Sequence, residues 1–147
     1  MLYIASDHGG YHLKKYLVSY MENQLEQKIV DLGPHEFVES DDFPDYAIAL
    51  SKEVAKERAN RGILICKTGH GMCIAANKIN GIKAIVGYNI EGTEMGRKHN
   101  NANVLCLAAK VLSQDHATAI VKKFLETQFD GDERLVRRNK KIEELEK

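Results

Sequence analysis

The chain has 147 residues, 44% hydrophobic and 29% charged, and its 21 basic and 21 acidic side chains leave no formal net charge. That length suits a single domain, 1–147, with a sizeable core, and the charge balance argues against a nucleic-acid partner or an anionic membrane surface. No apolar run approaches membrane-spanning length, and the odd trio Cys66, Cys73 and Cys106 is unlike a disulfide framework, so a reducing, cytoplasmic setting is expected.

Leu2-Tyr3-Ile4-Ala5 reads as a first strand, entered from Met1 with no signal-like arrangement before it. Ser6-Asp7-His8-Gly9-Gly10 is a turn, and Leu13, Tyr16, Leu17, Tyr20 and Met21 follow at helical spacing. Lys28 to Leu32 reads as a second strand, closed by Gly33-Pro34, and residues 35–42 form an acidic polar loop. Asp42 and Pro44 mark a helix start, with Tyr46, Ala47, Leu50 and Val54 on one side. Ile63 to Cys66 is a third strand, and a helix-like stretch runs from Met72 to Ile79. A fourth strand spans Ile82 to Val86, and a polar helix over 91–100 ends near His99 and Asn100. Asn103 to Leu107 is a fifth strand. Ser113 caps a helix with the apolar face Ala117, Ile120, Val121, Phe124 and Leu125, and a charged helical tail follows from Asp132.

Strand and helix alternate without repeats, which predicts an α/β fold: a five-stranded parallel sheet with helices on both faces. Ligands of such sheets bind beyond the carboxyl ends of the strands. Asp7 and His8 follow the first strand and Cys66 the third, so they belong on one rim. His99 and Asn100 precede the fifth strand and reach that rim only if the segment between Gly87 and Asn103 folds over it.

The segment Cys66-Lys67-Thr68-Gly69-His70-Gly71-Met72 carries the densest chemistry. A free cysteine is commonly a small core residue, but this one ends a strand beside a glycine turn and a helix start. The first helical N–H groups have no partner in the helix and can hold negative charge. As a thiolate the cysteine can abstract a proton or attack a carbonyl. Cys73 suits packing and Cys106 the core. Cys66, His70 and Cys73 invite a metal by type, yet no second ligand pair completes a tetrahedral set, so neither metal nor cofactor is expected. A nucleotide is disfavoured because neither a Walker nor a GxGxxG pattern is present.

His99 among asparagines fits either a surface helix end or a general acid/base near neutral pH. Arg134, Arg138 and Lys141, at i, i+4 and i+7, are either a solvated face or a phosphate clamp, since guanidinium forks match phosphate oxygens. Leu135, Ile142 and Leu145 make a sparse apolar stripe that could dock the tail, 132–147, on a neighbouring subunit.

Taken in order, Ser6 to Gly10, Cys66 to Met72 with Ala75-Ala76-Asn77-Lys78, His99-Asn100 and the Arg-rich tail resemble ribose-5-phosphate isomerase type B, over essentially the whole chain. Asp42 to Ala47 resembles the family's acidic, aromatic and proline segment. The resemblance implies a Rossmann-like three-layer sandwich, a homodimer or dimer of dimers with shared active sites, and metal-independent aldose–ketose isomerisation of a phosphorylated sugar. Cys66 matches the base that moves a proton between C1 and C2, Thr68 the hydroxyl that shuttles protons on the oxygens, and His99 the residue that opens the ring. Backbone N–H groups from Lys67 to Gly71, through Thr68, Gly69 and His70, would stabilise the enediolate. Asp7 and Asn100 match sugar contacts, and His8, Arg134 and Arg138 phosphate contacts. Lys67, His70, Cys73 and Leu135 stand where the family more often has glycine, a small aliphatic residue, serine and histidine, and Phe43 replaces a common tyrosine. A six-carbon phosphosugar, such as allose 6-phosphate or galactose 6-phosphate, is the alternative substrate. A non-catalytic subunit is the alternative role.

Overall fold

The computed structural model describes residues 1–146. Its elements are β1 (Leu2–Ser6), α1 (Tyr11–Gln24), β2 (Val30–Asp31), α2 (Phe43–Ala55), β3 (Arg61–Cys66), α3 (His70–Ala76), β4 (Ala84–Val86), α4 (Ile90–Asn100), β5 (Val104–Ala108), α5 (Gln114–Glu126) and α6 (Glu133–Glu143). The five strands form one parallel sheet in the order β2-β1-β3-β5-β4. Period-two alternation divides the central strands between two cores. Ile63, Ile65, Leu105 and Leu107 face Leu13, Leu17 and Met21 of α1 and Ile120, Val121 and Phe124 of α5. Leu64, Cys66, Val104 and Cys106 face Ala47, Leu50 and Val54 of α2 and Met72 and Ala76 of α3. The result is the expected three-layer α/β architecture.

The edges are shorter than the sequence pattern suggests. β2 keeps two residues of the expected five, and β4 starts at Ala84 rather than Ile82. Each pairs on one side only. The free side of β4 is closed by a side chain: Asn77 donates to the Ala84 carbonyl at 2.9 Å and accepts the Ala84 N–H at 2.8 Å. This imitation of a strand partner follows directly on the end of α3 at Ala76, short of Ile79.

α4 is polar by composition but not solvent-facing throughout. Arg97 is buried, with its guanidinium over the Phe124 ring, and donates to the carbonyls of Thr127 (3.1 Å) and Ala102 (2.5 Å) and to Asn101 Oδ1 (3.1 Å). No carboxylate pairs with it among these contacts, and burial lowers its pKa to about 10. Asn101 closes α4 in the left-handed region (φ 51°), with its N–H and that of Ala102 returning to Arg97 and Gly96 carbonyls.

α6 docks on its own chain. Leu135 and Asn139 are buried, Asn139 Nδ2 donates to the His99 carbonyl at 2.8 Å, and Lys83 pairs with Glu143 at 2.9 Å. Among the described residues no helix is long and apolar enough to cross a membrane.

Candidate active site

The chain runs from β1 outward to β2 and then returns across β1 to β3, so the direction of winding reverses between β1 and β3. In open parallel sheets this reversal opens a crevice at the strands' carboxyl ends. Ser6 pairs with Ile65 across it, and the Asp7 N–H donates to the Ile65 carbonyl at 3.2 Å. The loops after β1 and β3 therefore lie side by side, bringing Asp7 and His8 together with Cys66 to Gly71.

Cys66 is 6% exposed, the last residue of β3. Its sulfur accepts the Gly69 N–H at 3.1 Å. That turn needs glycine: Gly69 sits at φ +80°, and a Cβ there would lie 3.3 Å from the Leu107 carbonyl carbon. The Gly69 carbonyl then accepts the Cys73 N–H, opening α3. Thr68 and His70 are exposed, and Thr68 Oγ1 takes the His70 N–H at a long 3.4 Å. One of the expected oxyanion donors, Gly69 N–H, is thus engaged by the cysteine sulfur. The Phe43 ring covers Gly71, where a Cβ would sit 2.7 Å from it.

The β1 loop contributes charge. Asp7 is buried and accepts the Gly10 N–H at 3.2 Å. Burial, aided by the Asp41 carboxylate, raises the Asp7 pKa, opposed by the Gly10 N–H and His8. The Lys67 stem crosses Gly9, where a Cβ would lie 2.6 Å from Lys67 Cγ and 3.2 Å from Asp7 Oδ1. The loop before α2 supplies Asp41, 2.7 Å from His8 Nδ1. Asp7, His8 and Asp41 offer ligand atoms within 4.8 Å of one another, but Asp41 Oδ1 already accepts two His8 donors.

His99 and Asn100 are exposed at the end of α4, and only three residues separate Asn100 from Val104, where β5 begins. The segment from Gly87 to Asn103 does not fold over the Cys66 rim, because α4 runs back along the sheet. In the β3–β5 register Cys66 pairs with Ala108 at the far end of β5. Four strand steps of ~3.3 Å separate Val104 from Ala108, about 13 Å, before the turn back to His99 is added. Arg134 and Arg138, both exposed, lie on α6, whose Asn139 is tied to the His99 carbonyl. One chain therefore carries two groups at opposite rims: Asp7, His8 and Cys66 to Gly71 at one, His99, Asn100, Arg134 and Arg138 at the other.

Residues 2–142 match the family described as Ribose/Galactose Isomerase. The chain belongs to that family. A probable ribose-5-phosphate isomerase B of Mycoplasma pneumoniae is 42% identical over 130 residues, covering 88% of this chain and 85% of its own. A D-erythrulose-4-phosphate isomerase of Mycolicibacterium smegmatis is 34% identical over 128 residues, covering 86% and 84%. The ribose-5-phosphate isomerase B of Mycoplasma genitalium, solved with bound ribulose 5-phosphate, superposes with a TM-score of 0.92 at 40% identity, covering 98% of this chain and 94% of its own. Membership in the Ribose/Galactose Isomerase family makes the chain a sugar-phosphate isomerase and an aldose–ketose isomerase by class.

One residue at this rim escaped sequence reading: Asp41 was legible only as one acid in a polar loop. No periodicity marks a side chain whose partner lies 33 positions away, as His8 lies from Asp41.

Proposed function

We propose that this chain interconverts D-ribose 5-phosphate and D-ribulose 5-phosphate through an enediolate, without a metal. The observation that carries the reading is Cys66 at the reversal point of the sheet, held by the Gly69 N–H and bordered by the first turn of α3. Cys66, as the thiolate, takes the proton from C2 of the open-chain aldose, and the pair of electrons moves to the C1 carbonyl oxygen. The same proton returns to C1, while Thr68 passes a proton between the two oxygens. Backbone donors of Lys67, His70 and Gly71 meet the negative charge on oxygen, where one such donor is worth on the order of 100-fold in rate. Asp7 contacts sugar hydroxyls, and phosphate binding at a distance positions the reacting carbons.

His99 opens the furanose ring, Asn100 holds a hydroxyl, and Arg134 and Arg138 bind phosphate, all four contributed by a second copy of the chain. Each active site then draws on both subunits of a homodimer, alone or within a dimer of dimers. The separation of the two residue groups within one chain supports this reading. The proteins it resembles also span sugars of different length, as the erythrulose-4-phosphate isomerase shows, so substrate length is tested in the same assay.

The experiment is turnover of ribose 5-phosphate by metal-stripped protein, beside erythrulose 4-phosphate, allose 6-phosphate and galactose 6-phosphate. Turnover of the pentose should exceed the others and fall by roughly 100-fold or more in Cys66→Ala. Full activity in that variant would refute the cysteine base. Preference for another sugar would keep the chemistry and change the substrate.

A further inference from the structure

The loop before α2 closes on His8 from behind. Asp41 Oδ1 accepts both the His8 backbone N–H, at 3.1 Å, and its ring Nδ1–H, at 2.7 Å. The Asp41 side chain is 6% exposed, and its Oδ2 is buried with no hydrogen-bond partner. Phe37, from the same loop, stands edge-on to the imidazole at 6.4 Å between centroids. Asp7 and Asp45 are further acids on this side, the Lys67 stem crosses the neighbouring Gly9, and the Tyr46 phenol faces Asp41.

A carboxylate so removed from water is costly unless a cation or donor answers it. His8 is the cation-forming group placed to do so, with the Tyr46 phenol as a second donor facing the carboxylate. With Nδ1 committed to Asp41, Nε2 is the ring atom left for a ligand, and it donates only when the ring is protonated. A protonated ring then has a donor at each end, one for Asp41 and one for an outer anion. A carboxylate behind a histidine fixes its tautomer and orientation in just this manner.

We propose that Asp41 is a positioning residue, locking His8 with Nδ1–H toward the loop so that Nε2–H meets the phosphate of the substrate. This rests on the reading of the site as one for a phosphosugar. It adds an acid from the loop to the phosphate-recognition machinery, acting through His8 rather than touching the substrate.

The test uses the full-length protein and three variants: Asp41→Asn, which removes the charge and keeps the shape, His8→Ala, and the double variant. The probe is inorganic phosphate, titrated directly and as a competitor of ribose 5-phosphate. Asp41→Asn should weaken phosphate binding about 10-fold and raise KM more than it lowers kcat. In the His8→Ala background the same substitution should cost almost nothing further. Ring 15N shifts should report Nδ1–H for His8 in the parent protein and a mixture of tautomers in Asp41→Asn, whose amide can turn either its oxygen or its nitrogen to the ring. If His8→Ala weakens phosphate binding and Asp41→Asn does not, the proposal falls and the site reading stands. If His8→Ala itself leaves phosphate binding unchanged, the phosphate reading of His8 falls and takes the proposal with it. Equal losses from Asp41→Asn with and without His8, or a Mn²⁺ site at Asp7, His8 and Asp41 abolished by Asp41→Asn, would also overturn it.

Discussion

A shared site predicts that two inactive chains rescue each other. Within one chain His99 lies at the amino end of β5 and Cys66 beside its carboxyl end. Groups that open a ring and abstract a proton must each come within about 3 Å of atoms on the same small sugar. A gap of about 13 Å along β5 alone forbids this for two residues of one subunit. Let Cys66→Ala and His99→Ala chains be mixed in equal amounts, by co-expression or by refolding together. In a mixed dimer one site holds both substitutions and the other holds neither. Random pairing makes about half the dimers mixed, and each has one intact site of two, so activity per chain should return to about one quarter of the parent protein. The assay is ribulose 5-phosphate formation at saturating substrate, compared with each variant alone. A mixture no more active than the sum of the two variants would show that Cys66 and His99 act within one chain. The arrangement of two rims argued above would then be wrong as a description of the active site. The same yield is expected for a dimer of dimers, because each site still draws on one pair.

Other consequences follow from single side chains. Arg97→Ala strands the Thr127 and Ala102 carbonyls in the core and should cost on the order of 3–5 kcal/mol in urea denaturation, while Arg97→Lys, which cannot fork to both, should cost about 1–3 kcal/mol. An Arg97→Ala protein with unchanged midpoint would contradict the burial described. Gly69→Ala places a Cβ at φ +80° and should cost about 1–2 kcal/mol, with kcat falling more than KM changes, because the N–H on the Cys66 sulfur moves. Asp7→Asn should be more thermostable than the parent at neutral pH: burial raises the folded-state pKa, so ionised Asp7 is a destabilising group. The sign fixes the window, since the parent loses stability as pH rises from 3.8 through the raised value, and the advantage of Asp7→Asn should vanish below 3.8. Melting curves across pH 3 to 8 check it, and an advantage for the parent at neutral pH would reverse the argument.

Local pattern carries the fold because each helix and strand here buries a face whose period is written in adjacent residues. Ile63, Ile65 and Leu105, Leu107 against Leu64, Cys66 and Val104, Cys106 is such a case. The edge strands were overread because a strand's length depends on its neighbour: β2 and β4 each pair on one side only, and on the free side of β4 the Asn77 side chain takes a strand's place. Arg97 shows the same limit inside a helix: the segment 91–100 reads only as polar, but carbonyls contributed from Ala102 and Thr127 hold this side chain in the core. The site divides along this line too. Asp7, His8 and Cys66 were legible as one rim because they follow adjacent parallel strands, which topology alone brings together. Asp41 was not, because its role exists only after the loop of 35–42 returns to His8.

His99 is the instructive residue between these cases. Its position before β5 places it at the wrong end of the sheet for a single-chain site, and Asn101, in the left-handed conformation, ends α4 just past it and leaves it exposed. Asn139 and the Asp130 N–H then tie the tail to the His99 and Lys98 carbonyls, setting α6 with its exposed Arg134 and Arg138 beside the end of α4. On the proposed mechanism a helix end so built, with an imidazole and two guanidiniums exposed, acts when a second chain supplies the cysteine. The reverse would hold for Cys66, whose rim carries the proposed base and backbone donors while the proposed ring-opening His99 lies at the other rim. On the proposed mechanism each half lacks what the other carries, so association would be a condition of the chemistry. Dilution below the dimer dissociation constant should therefore abolish turnover while leaving the fold, read by circular dichroism, unchanged.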